Sequence, residues 1–535
     1  MIVAFPEAWP VRPLRILPLL AFAPLAFTLV AGASAVPRDL PADPLEFVAR
    51  AGADPRGDIL DVRIAELYGL TTMSRDGTYP TGTSGLSAAT TSCNVGTVDV
   101  PWIAAMDERH PCIGLAMYRE ENGRLEQIGR NWLKHGFFSL NDDDCSTCPN
   151  PAGGSVLRVA CSDTYSANNN GNQYDLGPRE EVNPHTGEWT ACGSFFDEPV
   201  TPDADCSRDW FGFPGTVEQQ LAVKDADLGH AGATYFYEGM YVVADDDFLP
   251  NNIGHRRLSS MTWNGAQWLF TTFVEEPPFV QEAQPGPVVS AWGDYTSSGP
   301  VAVGDGLFFL SVDVTDLQDG WWRYEYALYN RTSARGVRSF SVPTAGASIR
   351  NLTFRDPDDD TGNDWTLDAS GGLVTASTDE WSVDPDANAL EYQVLYNVGF
   401  EADRDAAETS ATGGLFRPGT GVSFVLPTLG PGGVTDAPLA SGSPGLRLEL
   451  AGRNPSRDGA DIRFQLPAEA PVQLAVRDVA GRRVRTLLDG RAPAGRSTLH
   501  WDGRDDAGRT TAAGIYFIRL HTPQASRTIK ITRLP

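Results

Sequence analysis

The residues best suited to chemistry lie between Trp132 and Asp163, in WLKHGFFSLNDDDCSTCPNPAGGSVLRVACSD. His135, Cys145, Cys148 and Cys161 follow the spacing H-x9-C-x2-C-x12-C. Three thiolates and an imidazole at such spacings can close round one tetrahedral zinc ion, because a C-x-x-C turn brings two sulfurs to the same centre. The same residues can instead form a disulfide clasp, Cys145–Cys148 or Cys148–Cys161, with His135 merely packed. An oxidising compartment favours the clasp. Seven cysteines are an odd number. Three on a metal would leave Cys93, Cys112, Cys192 and Cys206, an even set able to form two disulfides. Redox chemistry at the C-x-x-C is disfavoured, because Asp142, Asp143 and Asp144 precede it and nearby acids raise a thiol's pKa.

A second donor set is DPDDDTGND at 356–364. Asp356, Asp358, Asp360 and Asp364 offer carboxylates from one turn, as hard calcium requires. The stretch is not an EF-hand, since Thr361 and Leu367 hold the positions where that loop needs Gly and Glu. Asp245, Asp246 and Asp247 invite the same reading more weakly. Flat rings in WWRYEY (321–326) and Trp292 could stack on sugars, although alternating aromatics equally serve a core. The chain has no G-x-S-x-G, H-E-x-x-H or P-loop. His110, His185, His230 and His255 are scattered singly and read as structural.

The elements that would carry these groups are strands. ATYFYEGMYVVA, QWLFTTFVEE, GLFFLSVDVTDL, WWRYEYALYN and EYQVLYNVGFEAD are aromatic and β-branched runs separated by turn clusters. In RYEYALYN, Tyr324, Tyr326 and Leu328 alternate with Glu325 and Ala327, the pattern of a half-buried strand. The expected fold is all-β and multi-domain, built from β-sandwiches. One short helix is expected after Asp58, where Leu60, Ile64, Leu67 and Tyr68 share a helical face. Thr71 to Ser92 reads as loop.

Residues 1–35 read as a secretory signal: Arg12 and Arg15 flank an apolar run that ends at Ala33-Ser34-Ala35. No later run is long enough for a spanning helix. The expected divisions are a lead-in at 36–92, a cysteine-bearing β/loop domain at 93–233, a β-sandwich at 234–429, a Gly/Pro/Ser linker at 430–445 and a final module at 446–535. The net charge is −27, which argues against nucleic acid and anionic membranes as partners. The final module runs the other way, with 16 Arg and Lys against 9 Asp and Glu after Gly445, so a boundary lies before it.

That module reads as short strands at ADIRFQL, VQLAVRDVA, RVRTLLDG, RSTLHWDG, AGIYFIRLHT and RTIKITRL. Its segments NPSRDGADIRFQLP (454–467), VRDVAGRRVRTLLDG (476–490), AGRSTLHWDGRDDAGR (494–509) and AAGIYFIRL (512–520) resemble the FlgD-type Ig-like domains at the C-termini of secreted bacterial proteins. More loosely, they resemble type A sorting domains of type IX secretion. The resemblance implies a small immunoglobulin-like sandwich used in sorting, assembly or display at the envelope. WLKHGF, CSDTYSANNNGNQYDLGPR (161–179) and RYEYALYNRTSARGVRSFSVP (323–343) resemble large secreted proteins of environmental bacteria, and that likeness carries no activity.

The sequence therefore points to an exported structural or adhesive protein at the surface of a Gram-negative-type bacterium, or released from it. Its expected partners are the secretion or envelope machinery, with surface glycans or other proteins as further candidates. Zinc and calcium are the cations its donor sets would suit. A secreted metal-dependent hydrolase using the His/Cys cluster is one alternative, and a carbohydrate-binding protein is another.

Overall fold

A computed structural model describes residues 58–432 and 447–533, apart from 104–105, 137, 152, 198–205, 209–216, 248, 250, 274–281, 301–305, 359, 452–458, 467–469, 479–482, 494, 513 and 523–524. The expected signal sequence and nearly all of the expected linker lie outside the described residues. The fold is almost entirely β, in three lobes.

The first lobe opens with the strands Val62–Asp76 and Thr83–Asn94, paired antiparallel and extended by Leu221–Lys224 and Ser162–Tyr165. A second sheet packs against them. It runs in the order Trp268–Thr272, Ile253–Trp263, Thr234–Val242, Cys112–Glu121, Leu133–Lys134 and Leu176–Gly177. Leu67, Leu86, Leu115, Met117, Tyr237 and Trp268 fill the space between.

The helix expected after Asp58 is therefore a strand. Val62, Ile64, Leu67 and Leu70 are its buried residues. Irregularities in register between Ile64 and Glu66 and between Tyr68 and Thr71 shift the inward positions from every second residue to every third. An added residue at a β-bulge thus imitates a helical period. The loop expected over 71–92 is mostly strand as well, because its Ser, Thr, Ala and Leu side chains are buried against both neighbours. The division expected at 233/234 falls inside one sheet, since Thr234–Val242 pairs along its whole length with Cys112–Glu121.

The second lobe is a sandwich of two five-stranded sheets. One runs Tyr295–Pro300, Leu307–Asp316, Trp322–Asn330, Val394–Ala402 and Ile349–Arg355; the other runs Thr366–Ser370, Leu373–Ser377, Val337–Pro343, Ala406–Leu415 and Ser423–Pro431. Tyr324, Tyr326 and Leu328 point into its core. Ala327 and Tyr329 on the opposite face pack with Tyr118, Met240 and Val288 of the first lobe. The strand read as half-buried is thus covered on both sides.

Polar groups tie this seam. Gln127 donates to the Gln393 carbonyl at 3.0 Å and accepts from the Leu395 N–H at 3.0 Å. Its carboxamide replaces a neighbouring strand where ladder pairing has run out. Arg124 makes a two-pronged pair with Glu325 at 2.9 and 3.0 Å. The Arg179 guanidinium donates to Asn131 of the first lobe and Gln393 of the second.

The third lobe packs Arg447–Ala451, Ala460–Leu466 and Gly495–Trp501 against Arg483–Ala492, Ala470–Asp478, Gly514–Thr522 and Ala525–Arg533. Its own core centres on Trp501, with Ile462, Phe464, Leu474, Val476, Ile518 and Leu520. The strands read from sequence in this segment match these elements to within a few residues.

Candidate functional site

The structure separates the four residues proposed for zinc. Cys145 pairs with Cys93, Cys148 with Cys161 and Cys192 with Cys206. A sulfur in a disulfide offers no thiolate, so the set His135, Cys145, Cys148 and Cys161 is not a metal centre. The C-x-x-C is not a redox pair either, because its two cysteines belong to different bridges. Cys145 is brought to Cys93 through Ser162, which pairs with Cys93 in the strand ladder and also bridges to Asp142 and accepts from the Asp144 N–H at 3.0 Å.

His135 belongs to a different group. Two short elements build it. In His110-Pro111-Cys112, alternate extended residues face the same side. The strand Cys112–Glu121 then pairs with Leu133–Lys134 through Ile113 and Lys134, and the antiparallel register sets Cys112 opposite His135. His110 Nε2 lies 2.7 Å from His135 Nδ1. Cys112 Sγ lies 3.6 Å from His135 Nδ1 and 3.7 Å from its Nε2. One donor atom from each of the three residues falls within 4.8 Å of the others, and this is the one such His, Cys, Asp or Glu group among the described residues.

The cluster is closed. Residual exposure is 2 % at His110, 2 % at Cys112 and 1 % at His135. The Trp189 ring packs on both imidazoles and Phe196 packs edge-on to His135. The His135 N–H donates to the Asp175 carbonyl at 2.7 Å, and Lys134 Nζ donates to the His135 carbonyl at 2.8 Å and to Asp175 at 2.8 Å. These bonds fix the imidazole from its backbone. Burial pushes the His135 pKa well below the usual histidine value, with nearby His110 and Lys134 adding to the effect. The ring is therefore neutral, the form that ligates metals. Burial also drives the Cys112 thiol upward, so it stays protonated until something replaces the proton. Cys112 is the free cysteine of the described residues.

Sequence reasoning placed His110 and Cys112 elsewhere. The H-x-C spacing was a usable signal, since a strand puts i and i+2 on one face. What it lacked was the strand partner that delivers His135.

The acidic stretch does not converge on a cation. Asp356 accepts from the Asp358 N–H at 3.3 Å, Asp358 from the Asp360 N–H at 2.7 Å and Asp360 from the Gly362 N–H at 3.0 Å. Each carboxylate turns back on its own backbone, which is how aspartates hold a turn. Asp364 does not join them in a shared donor group. Buried Asp356 also accepts from Asn388 at 2.6 Å, and its pKa is raised to about 6, first by burial.

The suspected rings do not share one exposed face. Tyr324 and Tyr326 are core and Trp292 is buried, while Trp321 and Trp322 are half-buried, the first under the Arg350 guanidinium at 3.9 Å and the second against the sandwich core.

Residues 453–526 match the FlgD Ig-like domain family. No curated protein matches the chain. Among solved structures, the chain is similar to the fimbrial adhesin FimA of Actinomyces at 11% identity, over 42% of this chain and 96% of that one, with a TM-score of 0.16. Latent PorU from Porphyromonas gingivalis aligns at 10% identity over 89% of this chain and 34% of its own, TM-score 0.16. The major pilin RrgB from Streptococcus pneumoniae aligns at 11% identity over 61% and 57%, TM-score 0.16. Likeness at this level assigns neither fold nor role.

Proposed function

We propose that the chain is an exported structural or adhesive protein of the bacterial envelope, with a rigid two-lobed β body displayed by its C-terminal Ig-like module. The observation that carries this reading is the FlgD Ig-like match at 453–526, on a lobe with its own core around Trp501. Three disulfides in the first lobe support an oxidising compartment outside the cytoplasm. Among the described residues no helix is long and apolar enough to cross a membrane.

The hydrolase alternative would need an open cleft around its nucleophile or metal. The burial of His110, Cys112 and His135 speaks for a structural role of that lobe instead. The sugar-binding alternative would need exposed, coplanar rings, whereas Tyr324, Tyr326 and Trp292 are buried and Arg350 covers Trp321.

The test is to express, in the native host, the full chain and a chain ending at residue 432. Surface proteolysis and fractionation then report location. The full chain is expected on the surface or in the medium, and the shortened chain is expected to stay behind the outer barrier. Equal surface delivery of both would refute a sorting or display role for the module.

A further inference from the structure

The His110, Cys112 and His135 group has the composition and shape of a ligand set, which the structural role of the protein does not require. We propose that these three side chains form a three-coordinate site for one copper ion, bound through two imidazole nitrogens and one thiolate. Two independent features support this. The first is parity: the described disulfides use six cysteines and leave Cys112 unbridged. A secreted chain rarely keeps a spare thiol, and this one is sealed beside two imidazoles.

The second feature is geometry. With metal–nitrogen bonds of about 2.0 Å and a metal–sulfur bond of about 2.3 Å, a trigonal site sets sulfur about 3.7 Å from each nitrogen and the nitrogens about 3.5 Å apart. The sulfur lies 3.6 Å from His135 Nδ1, the nitrogen that faces His110, and a His110 donor nitrogen lies within 4.8 Å of the other two donors. The two imidazoles stand closer, at 2.7 Å, and share a hydrogen bond. A metal would replace that proton bridge, with the rings parting by under about 1 Å.

Donor number decides the metal. Zinc in closed sites takes four ligands, and no fourth His, Cys, Asp or Glu joins the group among the described residues. Trp189 and Phe196 wall it with apolar surface. Trigonal His2Cys sets and soft thiolates suit copper. On binding, the Cys112 S–H proton leaves to solvent as the sulfur–copper bond forms, and the proton of the His110–His135 hydrogen bond passes to the other nitrogen of the ring that carried it, leaving both facing nitrogens free to ligate, with no change in oxidation state.

The experiment uses the full exported chain, purified from media supplemented with copper or with zinc. Metal per chain is measured, and the ligand shell is read by X-ray absorption at the metal edge. The expected result is one copper per chain in a shell of two nitrogens and one sulfur, with zinc well below one equivalent. Cys112→Ser should lower copper affinity at least about 100-fold, and His110→Gln should do likewise. If either variant fails to fold, the wild-type ligand shell alone decides. Metal-free protein from both media, copper bound without sulfur, or zinc in preference to copper would each overturn the proposal.

Discussion

Glu238 is the residue on which the joint between the first two lobes can be tested. It sits on the strand Thr234–Val242 with no residual exposure. One carboxylate oxygen accepts from Tyr118 at 3.1 Å and from Tyr329 at 2.9 Å, and the other accepts from the Val288 N–H at 2.9 Å. Tyr118 belongs to the first lobe and Tyr329 to the second. Burial raises the Glu238 pKa, while the three donors and nearby Arg331 favour the ionised form.

Glu238→Ala would take the acceptor from three buried donors, leaving the Val288 N–H and one hydroxyl unpaired, since Tyr118 and Tyr329 also bond each other. Each orphan costs about 1–3 kcal/mol, partly offset because a buried charge is removed as well. A net loss of about 4 kcal/mol is expected. With an unfolding entropy of about 2.1 cal/mol/K per residue over roughly 375 residues, that lowers Tm by about 5 °C. Tyr329→Phe removes one charge-assisted bond and should cost about 1.5–3 kcal/mol. The assay is urea unfolding followed by two probes, near-UV circular dichroism and amide exchange in each lobe. Wild-type lobes should unfold together, and Glu238→Ala should separate their transitions. A loss below about 1 kcal/mol, or two lobes that already unfold apart in the wild type, would refute the reasoning that this buried network couples them.

Two further outcomes follow from the first lobe. The Cys148–Cys161 bridge closes a loop of 13 residues, so replacing both cysteines by serine should cost about 3 kcal/mol in chemical denaturation; a change under about 0.5 kcal/mol would show that the loop is held by its other bonds. Asp163 is buried, accepts from Trp102 at 2.8 Å and from the Leu140 N–H at 2.7 Å, and has its pKa raised to about 6, chiefly by burial. Its protonated form is therefore favoured by folding. Its contribution is fully present below about pH 4 and is lost as pH rises through about 6, to the extent of about 3 kcal/mol. Asp163→Asn loses that dependence, so stability measured for the variant minus wild type should rise by about that amount between pH 4 and pH 7. A flat difference would contradict the raised pKa.

Local pattern was enough to make most of the described chain β. Aromatic and β-branched runs such as WWRYEYALYN can satisfy alternation only as strands, and turn clusters such as DGRDDAGR mark where they reverse. The third lobe was legible for the same reason: short strands, tight turns and one core that depends on near neighbours in sequence. The acidic stretch 356–364 was legible as a turn, but the direction of its carboxylates was set by backbone amides two residues on. The strand Val62–Asp76 misled because bulges changed its period.

Sequence by itself determined strand content, the composition of the terminal module and the odd number of cysteines. Tertiary structure decided which residues meet. Cys145 finds Cys93 across 52 residues, and His135 finds Cys112 only through the register of a two-residue strand. Tyr329 became buried because a separate lobe covered its sheet. Side-chain alternation is a property of each strand alone, whereas register and partner depend on the free energy of packing whole sheets together.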